Sequence, residues 1–500
     1  MNQIIIDSSL TQICVALMEN EDLVEVYIER KNNRRTVGDI YKGRVTNVLP
    51  GMQAAFVDIG LKKNAFLYVK DAIFPMHVKQ FKEEKVSIKD ILKSGQDIVV
   101  QVIKEPMGTK GPRVTTHLTL PGRYLVLMPY NNYVGISRRI EDEEERKRLK
   151  KLIDELKPEH IGLIVRTEGM GKGKDDFKED LNNLMRIWEN IEREKKLGLA
   201  PRVLYKDLDL LQRTVRDLFT SDIEQLVIND REKYKHILEL VDILSPHLKE
   251  RVKYFNEEDE GIGIFQYYKI ENMLNDVASQ VVHLKSGGYI VIDQTEALTV
   301  IDVNTGKYVG NIDLQDTILK INKEAAEEIA KQLRLRDIGG IIIVDFIDME
   351  DSYEKEEVLE VLQNALDKDK TKTTVLGITK LGLLEMTRKK VRERIGTIVL
   401  TKCPYCQGTG SVLSEYMIIQ KIEKELKRIA LHTNAEAVAI EVNPLVIKVL
   451  DSENGMLLKD LENITGLKVF VKGNDLVHAN HIKVKAYGSM ERVRKTVISN

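Results

Sequence analysis

The sequence predicts a multidomain α/β protein, and three observations predict it. Five hundred residues exceed what one hydrophobic core usually holds, so three or more domains are expected. Two apolar runs rich in β-branched residues, 297–303 and 341–348, flank an amphipathic segment at 311–336, the pattern of a βαβ unit. Between residues 37 and 118, five short strand-like runs are separated by Gly-rich turns, and five strands in about 80 residues suit an OB-type barrel.

Composition narrows the class. The chain is 43% hydrophobic and 31% charged, as expected of a globular protein. A net charge of −2 argues against a surface positive all over, while leaving room for local basic patches that grip phosphate. No run approaches the roughly 20 apolar residues of a membrane span. The first residues lack the basic region and apolar core of a signal peptide. Three cysteines do not make a disulfide framework. A cytoplasmic location is expected.

Residues 1–36 read as strands at 3–6, 12–18 and 23–29. Three strands have too few partners to stand alone. They are expected to join residues 212–277, which read as a helix at 210–219, a strand at 225–228 and a helix at 233–244. Residues 37–118 would then be an inserted barrel, with strands at 41–48, 53–58, 65–69, 97–104 and 113–118. Phe56 and Phe66 pair if Leu61 lies near the apex of the turn around Gly60. Side by side they could stack on bases, each stack being worth roughly 1–3 kcal/mol. The competing reading puts both rings in the barrel core. Lys42, Arg44, Lys62, Lys63 and Lys110 could meet phosphates.

Residues 119–211 open with a strand at 122–129 and a charge-dense helix at 141–156, expected to be a solvated face. A strand at 161–167 ends in Arg166 and Thr167, a forked donor beside a hydroxyl, which could hold a terminal phosphate. An exposed salt bridge is the commoner explanation. The following Met170-Gly-Lys-Gly-Lys174 loosely resembles a P-loop. It continues into Asp175, without the magnesium-binding hydroxyl, which argues against nucleotide hydrolysis. A helix at 177–196 carries the only tryptophan, Trp188.

Residues 278–400 hold the two apolar strands. Gly287-Gly288 starts a hairpin of 289–294 and 297–303. The helix at 311–336 shows Leu314, Ile318, Ile321, Ala325 and Ile329 on one face and ends at Gly339-Gly340. Both strands read as buried and parallel, yet each carries a carboxylate near its C-terminal end, Asp302 and Asp345. That end of an open α/β sheet is where ligands sit. Asn304, two residues past Asp302, points to the same side. Oxygen donors with no His or Cys nearby suit Mg²⁺ or Mn²⁺, and such an ion can form a bound hydroxide and steady charge on a phosphorane. The alternative is a pair of Asp helix caps. A helix at 354–367, a strand at 375–379 and a basic run at 388–394, read as a solvated helix face, complete the region.

Cys403-Pro-Tyr-Cys406, in residues 401–413, has the spacing of a zinc knuckle. A structural zinc wants four ligands, and the one other cysteine, Cys14, lies far away in a predicted strand. Two chains supply four thiolates, so a zinc shared across a symmetric dimer completes the site. A redox pair or two free thiols are the alternatives. Residues 414–500 read as a small α/β domain with helices at 417–431 and 456–462 and strands at 437–442, 446–450 and 468–472.

Several motifs now stand in order: Ala54-Ala-Phe-Val-Asp58, Tyr124-Leu-Val-Leu-Met-Pro129, Gly135-Ile-Ser-Arg-Arg139 and Val165-Arg166-Thr167. Ile301-Asp302-Val303-Asn304-Thr305, Val344-Asp345-Phe-Ile-Asp348-Met349, Gly382-Leu-Leu-Glu-Met-Thr-Arg388 and the Cys403–Cys406 pair follow. Together they resemble the bacterial ribonuclease E/G family over almost the whole chain, and the short C-terminus resembles its G-type members. The resemblance implies an RNase H-like subdomain (1–36 and 212–277), an inserted OB-fold RNA-binding barrel (37–118) and a 5′-phosphate sensor region (119–211). A DNase I-like catalytic subdomain (278–400), a zinc-link (401–413) and a small association domain (414–500) follow. The implied activity is magnesium-dependent endonucleolytic cleavage of single-stranded RNA, in rRNA precursor processing and mRNA decay. Products carry 5′-phosphate and 3′-hydroxyl, and 5′-monophosphorylated RNA is preferred. A non-catalytic RNA-binding scaffold is the rival expectation.

By the same resemblance Asp302 and Asp345 match the magnesium ligands, and Asn304 the residue that helps place the scissile phosphate. Phe56, Phe66 and Lys110 match the RNA-gripping positions of the barrel. Gly122, Val126, Arg166 and Thr167 match the 5′-monophosphate pocket. Lys372 stands where the family has an arginine, and a lysine lacks the planar fork. Cys403 and Cys406 match a structural zinc link between protomers, implying a homodimer, with a tetramer as the larger alternative.

Overall fold

Short β-branched runs between polar turns fold into five sheets in this computed structural model, which describes residues 2–31, 34–72, 87–106, 110–306 and 314–498. Four sheets lie in a unit of residues 1–399 and one in a unit of residues 400–500. Strands β1 (Asn2–Ser8), β2 (Gln12–Glu19) and β3 (Asp22–Arg30) form an antiparallel meander. The next five are β4 (Ile40–Leu49), β5 (Ala54–Asp58), β6 (Ala65–Tyr68), β7 (Asp97–Lys104) and β8 (Arg113–Thr115). They run in the order β4-β5-β6-β8-β7, and β7 pairs back onto β4, so the sheet closes into a barrel. Its core includes Val45, Val57, Leu67, Val100 and Val114.

β9 (Leu120–Pro121), β10 (Leu125–Pro129), β11 (Val134–Ile136) and β12 (Ile161–Val165) make a four-stranded sheet. Helices α1 (Glu143–Leu156) and α2 (Lys174–Lys196) share its core. The solvated face expected of α1 is one side only, because Leu149 and Ile153 are buried. β13 (Arg202–Tyr205) adds to the β4 edge of the barrel. β14 (Gln225–Ile228) then pairs in parallel with β1, and β15 (Val252–Tyr254) with β14. The N-terminal meander thus finds its missing partners in residues that arrive much later in the chain. Helix α3 (Arg231–Leu244) buries Ile237 and Val241 in the same core.

The last sheet of this unit contains β16 (Val281–His283), β17 (Tyr289–Gln294), β18 (Leu298–Asn304), β19 (Gly340–Asp345), β20 (Thr373–Ile378) and β21 (Leu384–Arg388). Its order is β16-β17-β18-β19-β21-β20. β18 and β19 are parallel neighbours, joined through helix α4 (Leu314–Leu335), while α5 (Ser352–Leu366) links β19 to β20. Residues 311–313 of the expected helix lie outside the described residues. Ile321, Ala325, Ile329 and Leu333 of α4 and Val358 and Leu362 of α5 bury one sheet face. Each such Ile or Leu contributes roughly 1.5–3 kcal/mol, an upper figure because unfolded chains already hide some surface.

Two expectations need correcting here. β18 and β19 were expected to be buried on both sides, but Ile301, Val303, Ile342 and Val344 alternate with residues of an open face, where Ile341 is 52% exposed. Both helices cover the same side, so the carboxylates needed no buried partner. The basic run is no solvated helix either. Arg388 ends β21 in a buried ion pair with Asp369 (2.6 Å), and the Arg392 guanidinium lies 4.0 Å from the Tyr27 ring centre.

The second unit holds helices α6 (Glu415–His432), α7 (Pro444–Leu450), α8 (Ser452–Thr465) and α9 (Met490–Ile498). Its sheet runs β23 (Lys468–Gly473), β22 (Ala437–Val442), β24 (Lys483–Gly488). The strand expected at 446–450 is helix α7. Pro444 occupies the first turn and the Asn443 side chain caps it by accepting from Leu445 N, a start signal that outweighs the β-branched run. β21, β24 and α9 were not expected.

Candidate active site

Asp302 lies opposite Asp345 in the parallel register of β18 and β19, and both are exposed on the open face. Asn304 donates from Nδ2 to Asp302 Oδ2 at 2.9 Å, so the two side chains do share one side. Tyr289 is opposite Asn304, and His283 is opposite Tyr289, their rings 6.3 Å apart. Helix capping does not explain the carboxylates. Asp302 lies inside its strand, and α5 is capped by Asp351, which accepts from Tyr353 N.

The donor set fits a hard cation. Asp302 and Asp345 are two facing carboxylates with an amide beside them, and among the described residues no group of three or more His, Cys, Asp or Glu could hold a metal. Magnesium usually takes one or two protein carboxylates and keeps several waters. The loop after Asp345 is fixed by Asn322 of α4, which is fully buried. Its Nδ2 donates to Ile347 O at 2.8 Å, and its Oδ1 accepts from Ile347 N at 3.1 Å. Sequence reasoning missed Asn322; the available signal was a polar residue among the apolar positions of an amphipathic helix.

On the barrel, Phe56 and Phe66 are paired in register, their rings edge to face with centres 6.0 Å apart. Both are half-buried on the side away from Ala55, Val57, Ala65 and Leu67, which fill the core, so the core reading does not hold. Asn47 is opposite Phe56, Arg113 opposite Phe66, and Lys104 opposite Arg113. This row crosses the outer surface, and its three polar members were not singled out from sequence. Lys110 is exposed nearby in the chain. Lys42 is occupied by the carbonyls of Lys195 and Gly198, and Arg44 pairs with Asp97 at 2.9 Å.

At the end of β12, Arg166 donates through one terminal nitrogen to Gly122 O and through the other to Asp217 Oδ1 (2.8 Å). Thr167 Oγ1 is 3.0 Å from Ser137 Oγ, which accepts from Arg139 N. Gly122 is required by packing. A Cβ there would meet the Asp180 carboxylate at 2.6 Å, and Asp180 accepts from the backbone N–H groups of Arg123, Tyr124 and Leu125. Val126 is half-buried on β10 and Lys372 is exposed at the start of β20. In the P-loop-like segment, Gly171 N donates to Glu145 and Gly173 N to Asp176, so those amides are engaged by side chains.

Cys403 and Cys406 sit in turns of the second unit. Backbone N–H groups of Gly410 and Gly408 hold the Cys406 thiol below its ordinary pKa, favouring the thiolate a zinc ligand needs. Tyr405 anchors the turn: its ring stacks on His478 at 4.1 Å, its O accepts from His478 Nε2 at 2.6 Å, and its hydroxyl accepts from Ala479 N.

Comparison with known proteins bears on both units. The Ribonuclease E/G family pattern matches residues 119–391, more than half the chain, and the pattern described as RNase E/G, Thioredoxin-like domain matches 402–487. The chain belongs to the ribonuclease E/G family. Ribonuclease G of Escherichia coli (strain K12) is 40% identical over 486 residues, covering 96% of this chain and 99% of that protein. Ribonuclease G of Haemophilus influenzae is 42% identical, covering 92% and 94%. Ribonuclease E of a Nostoc species is 41% identical over 79% of this chain, but over 57% of its own length.

As a ribonuclease E/G family member the chain is an endoribonuclease, a hydrolase. No helix among the described residues is long and apolar enough to cross a membrane. Cys403 and Cys406 lie before a helix whose N-terminus is capped by Ser414, not at a helix N-terminus.

Proposed function

We propose that this chain is a magnesium-dependent endoribonuclease acting on single-stranded RNA, in rRNA precursor processing and mRNA decay. The observation that carries this reading is the facing pair Asp302 and Asp345, with Asn304 bonded to Asp302, on an open sheet face. The two carboxylates would hold the ion. When bound, magnesium lowers the pKa of a coordinated water and offsets negative charge on the phosphate under attack. Asn304 keeps Asp302 in one rotamer and offers its second amide hydrogen to a phosphate oxygen. Water attacks phosphorus in line, the bond to O3′ breaks, and the products carry 5′-phosphate and 3′-hydroxyl.

Substrate binding is read from the remaining clusters. Phe56 and Phe66 stack on bases, with Lys110, Asn47 and Lys104 tracking the backbone, while Arg113 is held by Asp71 at 2.6 Å. Gly122, Val126, Arg166, Thr167 and Lys372 form a pocket for a 5′-monophosphate, giving a preference for RNA that carries one. Cys403 and Cys406 hold half of a zinc site that a second copy completes, making a homodimer. Three unpaired cysteines suit the reducing cytoplasm. In family terms the β1–β3, β14 and β15 sheet is the RNase H-like subdomain, the barrel an OB fold, and the β16–β21 sheet the DNase I-like subdomain.

The test replaces Asp302 or Asp345 by Asn. Each change should lower cleavage of a single-stranded RNA by at least a thousandfold, with RNA affinity unchanged within about threefold because the barrel is intact. Cleavage at the wild-type rate in either variant, or full activity in EDTA, would sink the assignment and favour a scaffold.

A further inference from the structure

The geometry points to Asp217 as the positioning residue of the 5′-phosphate pocket: its carboxylate fixes the Arg166 guanidinium in the orientation that binds phosphate. This rests on the reading of Arg166 as the phosphate-binding residue.

Four observations carry it. Asp217 reaches Arg166 from an element 51 residues away in sequence, at 2.8 Å, with the two side chains 27% and 25% exposed. Asp217 is itself clamped by Arg216, whose Nε and one terminal nitrogen donate to its two oxygens at 2.9 and 2.8 Å. The other Arg216 terminal nitrogen donates to Pro121 O, next to the Gly122 carbonyl that takes Arg166. Lys370 Nζ lies 3.3 Å from Asp217 O, which brings the loop before Lys372 to the same point.

The consequence is geometric and electrostatic. Arg166 is held at two points, one on each terminal nitrogen, and neither contact uses Nε or the second hydrogen on each terminal nitrogen. A planar fork presented this way can bind phosphate oxygens in pairs. Two guanidinium groups against one carboxylate leave the cluster with a net charge of about +1, so the fixing carboxylate does not cancel the attraction for a phosphate. Without Asp217, Arg166 would swing between rotamers and lose entropy on each binding event. Asp217 therefore sets discrimination between 5′ ends and plays no part in bond cleavage.

The experiment compares kcat and KM for one RNA sequence carrying a 5′-monophosphate or a 5′-hydroxyl, with wild type, Arg166→Ala, Asp217→Asn and Asp217→Glu. A parallel measurement follows binding of a cleavage-resistant 2′-O-methyl oligonucleotide with each 5′ end. Asp217→Asn should reduce the phosphate-to-hydroxyl ratio of kcat/KM at least fivefold, through KM, with a matching loss of oligonucleotide discrimination. Asp217→Glu, which keeps the charge, should retain most of the ratio. Equal slowing of both RNAs in the Asn variant, or a folded Glu variant with no discrimination, overturns the proposal. A wild-type ratio of one refutes the phosphate pocket itself. A ratio lost in Arg166→Ala but kept in Asp217→Asn refutes only the role of Asp217.

Discussion

That Asp302, Asn304 and Asp345 share one side of the sheet needed only residue identity and strand phase to be read, because residues two apart along a strand face the same way, while their roles came from the family resemblance. Phe56 and Phe66 are different: their pairing was legible from the turn, but not which way they faced. Both rings lying outside the core on the outer side of the barrel, Phe56→Ala should weaken binding of a short single-stranded RNA by roughly 1–3 kcal/mol, read by fluorescence anisotropy. An affinity unchanged within error would return the pair to packing. The cysteines also differ in chemistry. Burial pushes the Cys14 thiol up to about 12, while amide hydrogen bonds hold Cys406 low. In the presence of a strong chelator, iodoacetamide near neutral pH should modify Cys403 and Cys406 and reach Cys14 only on unfolding. Three thiols labelled at one rate in the native protein would contradict this.

Among the elements, α4 was the most legible, since one apolar stripe repeats along it. Ile329, fully buried in the core beneath β18 and β19, should cost roughly 2–5 kcal/mol as Ile329→Ala, measured by urea unfolding. The segment 446–450 was misread because Val and Ile favour strands, and the capped proline start upstream was not weighed against them. The strand β21 escaped notice although it separates β19 from β20, since its charged and apolar residues alternate over only five positions. Gly122 shows how an element boundary carries a packing constraint. Gly122→Ala would press a methyl onto the Asp180 carboxylate and should destabilise the protein by about 1–3 kcal/mol, again by urea unfolding. Stability equal to wild type would mean that Asp180 moves freely.

For the whole molecule, acid should act through carboxylates tied to arginines. Burial pushes the Asp217 carboxyl up, but Arg216 and Arg166 outweigh it and hold the group below its usual 3.8. Arg148 and the Gly171 amide lower Glu145 to about 2 from 4.5. A lowered folded pKa gives stability that is present above the unfolded value and lost as pH falls through the folded one. Urea midpoints should therefore fall between pH 4.5 and about 2 as these groups protonate, whereas Asp337, which burial raises to about 6, acts in the opposite sense and favours the folded state as pH falls from about 6 to 3.8. A midpoint that rises as pH falls from 3.8 to about 2 would contradict the assignment. The proposed zinc-linked dimer has its own test: a strong chelator, or Cys403→Ser, should halve the mass seen by light scattering, and an unchanged mass would refute the link.

The sequence by itself determined what is local: most of the strands and helices, the carboxylates and amide on β18 and β19, and the spacing of the Cys403 and Cys406 thiols. Periodicity reports these because alternation and helical repeat record which side of each segment avoids water. Tertiary structure decided what depends on distant partners. It left one face of the β16–β21 sheet open, turned Phe56 and Phe66 outward, buried Arg388 on Asp369, and delivered Asp217 to Arg166. Those pairings are set by packing summed over whole cores, and no single segment's pattern encodes which remote side chain will arrive.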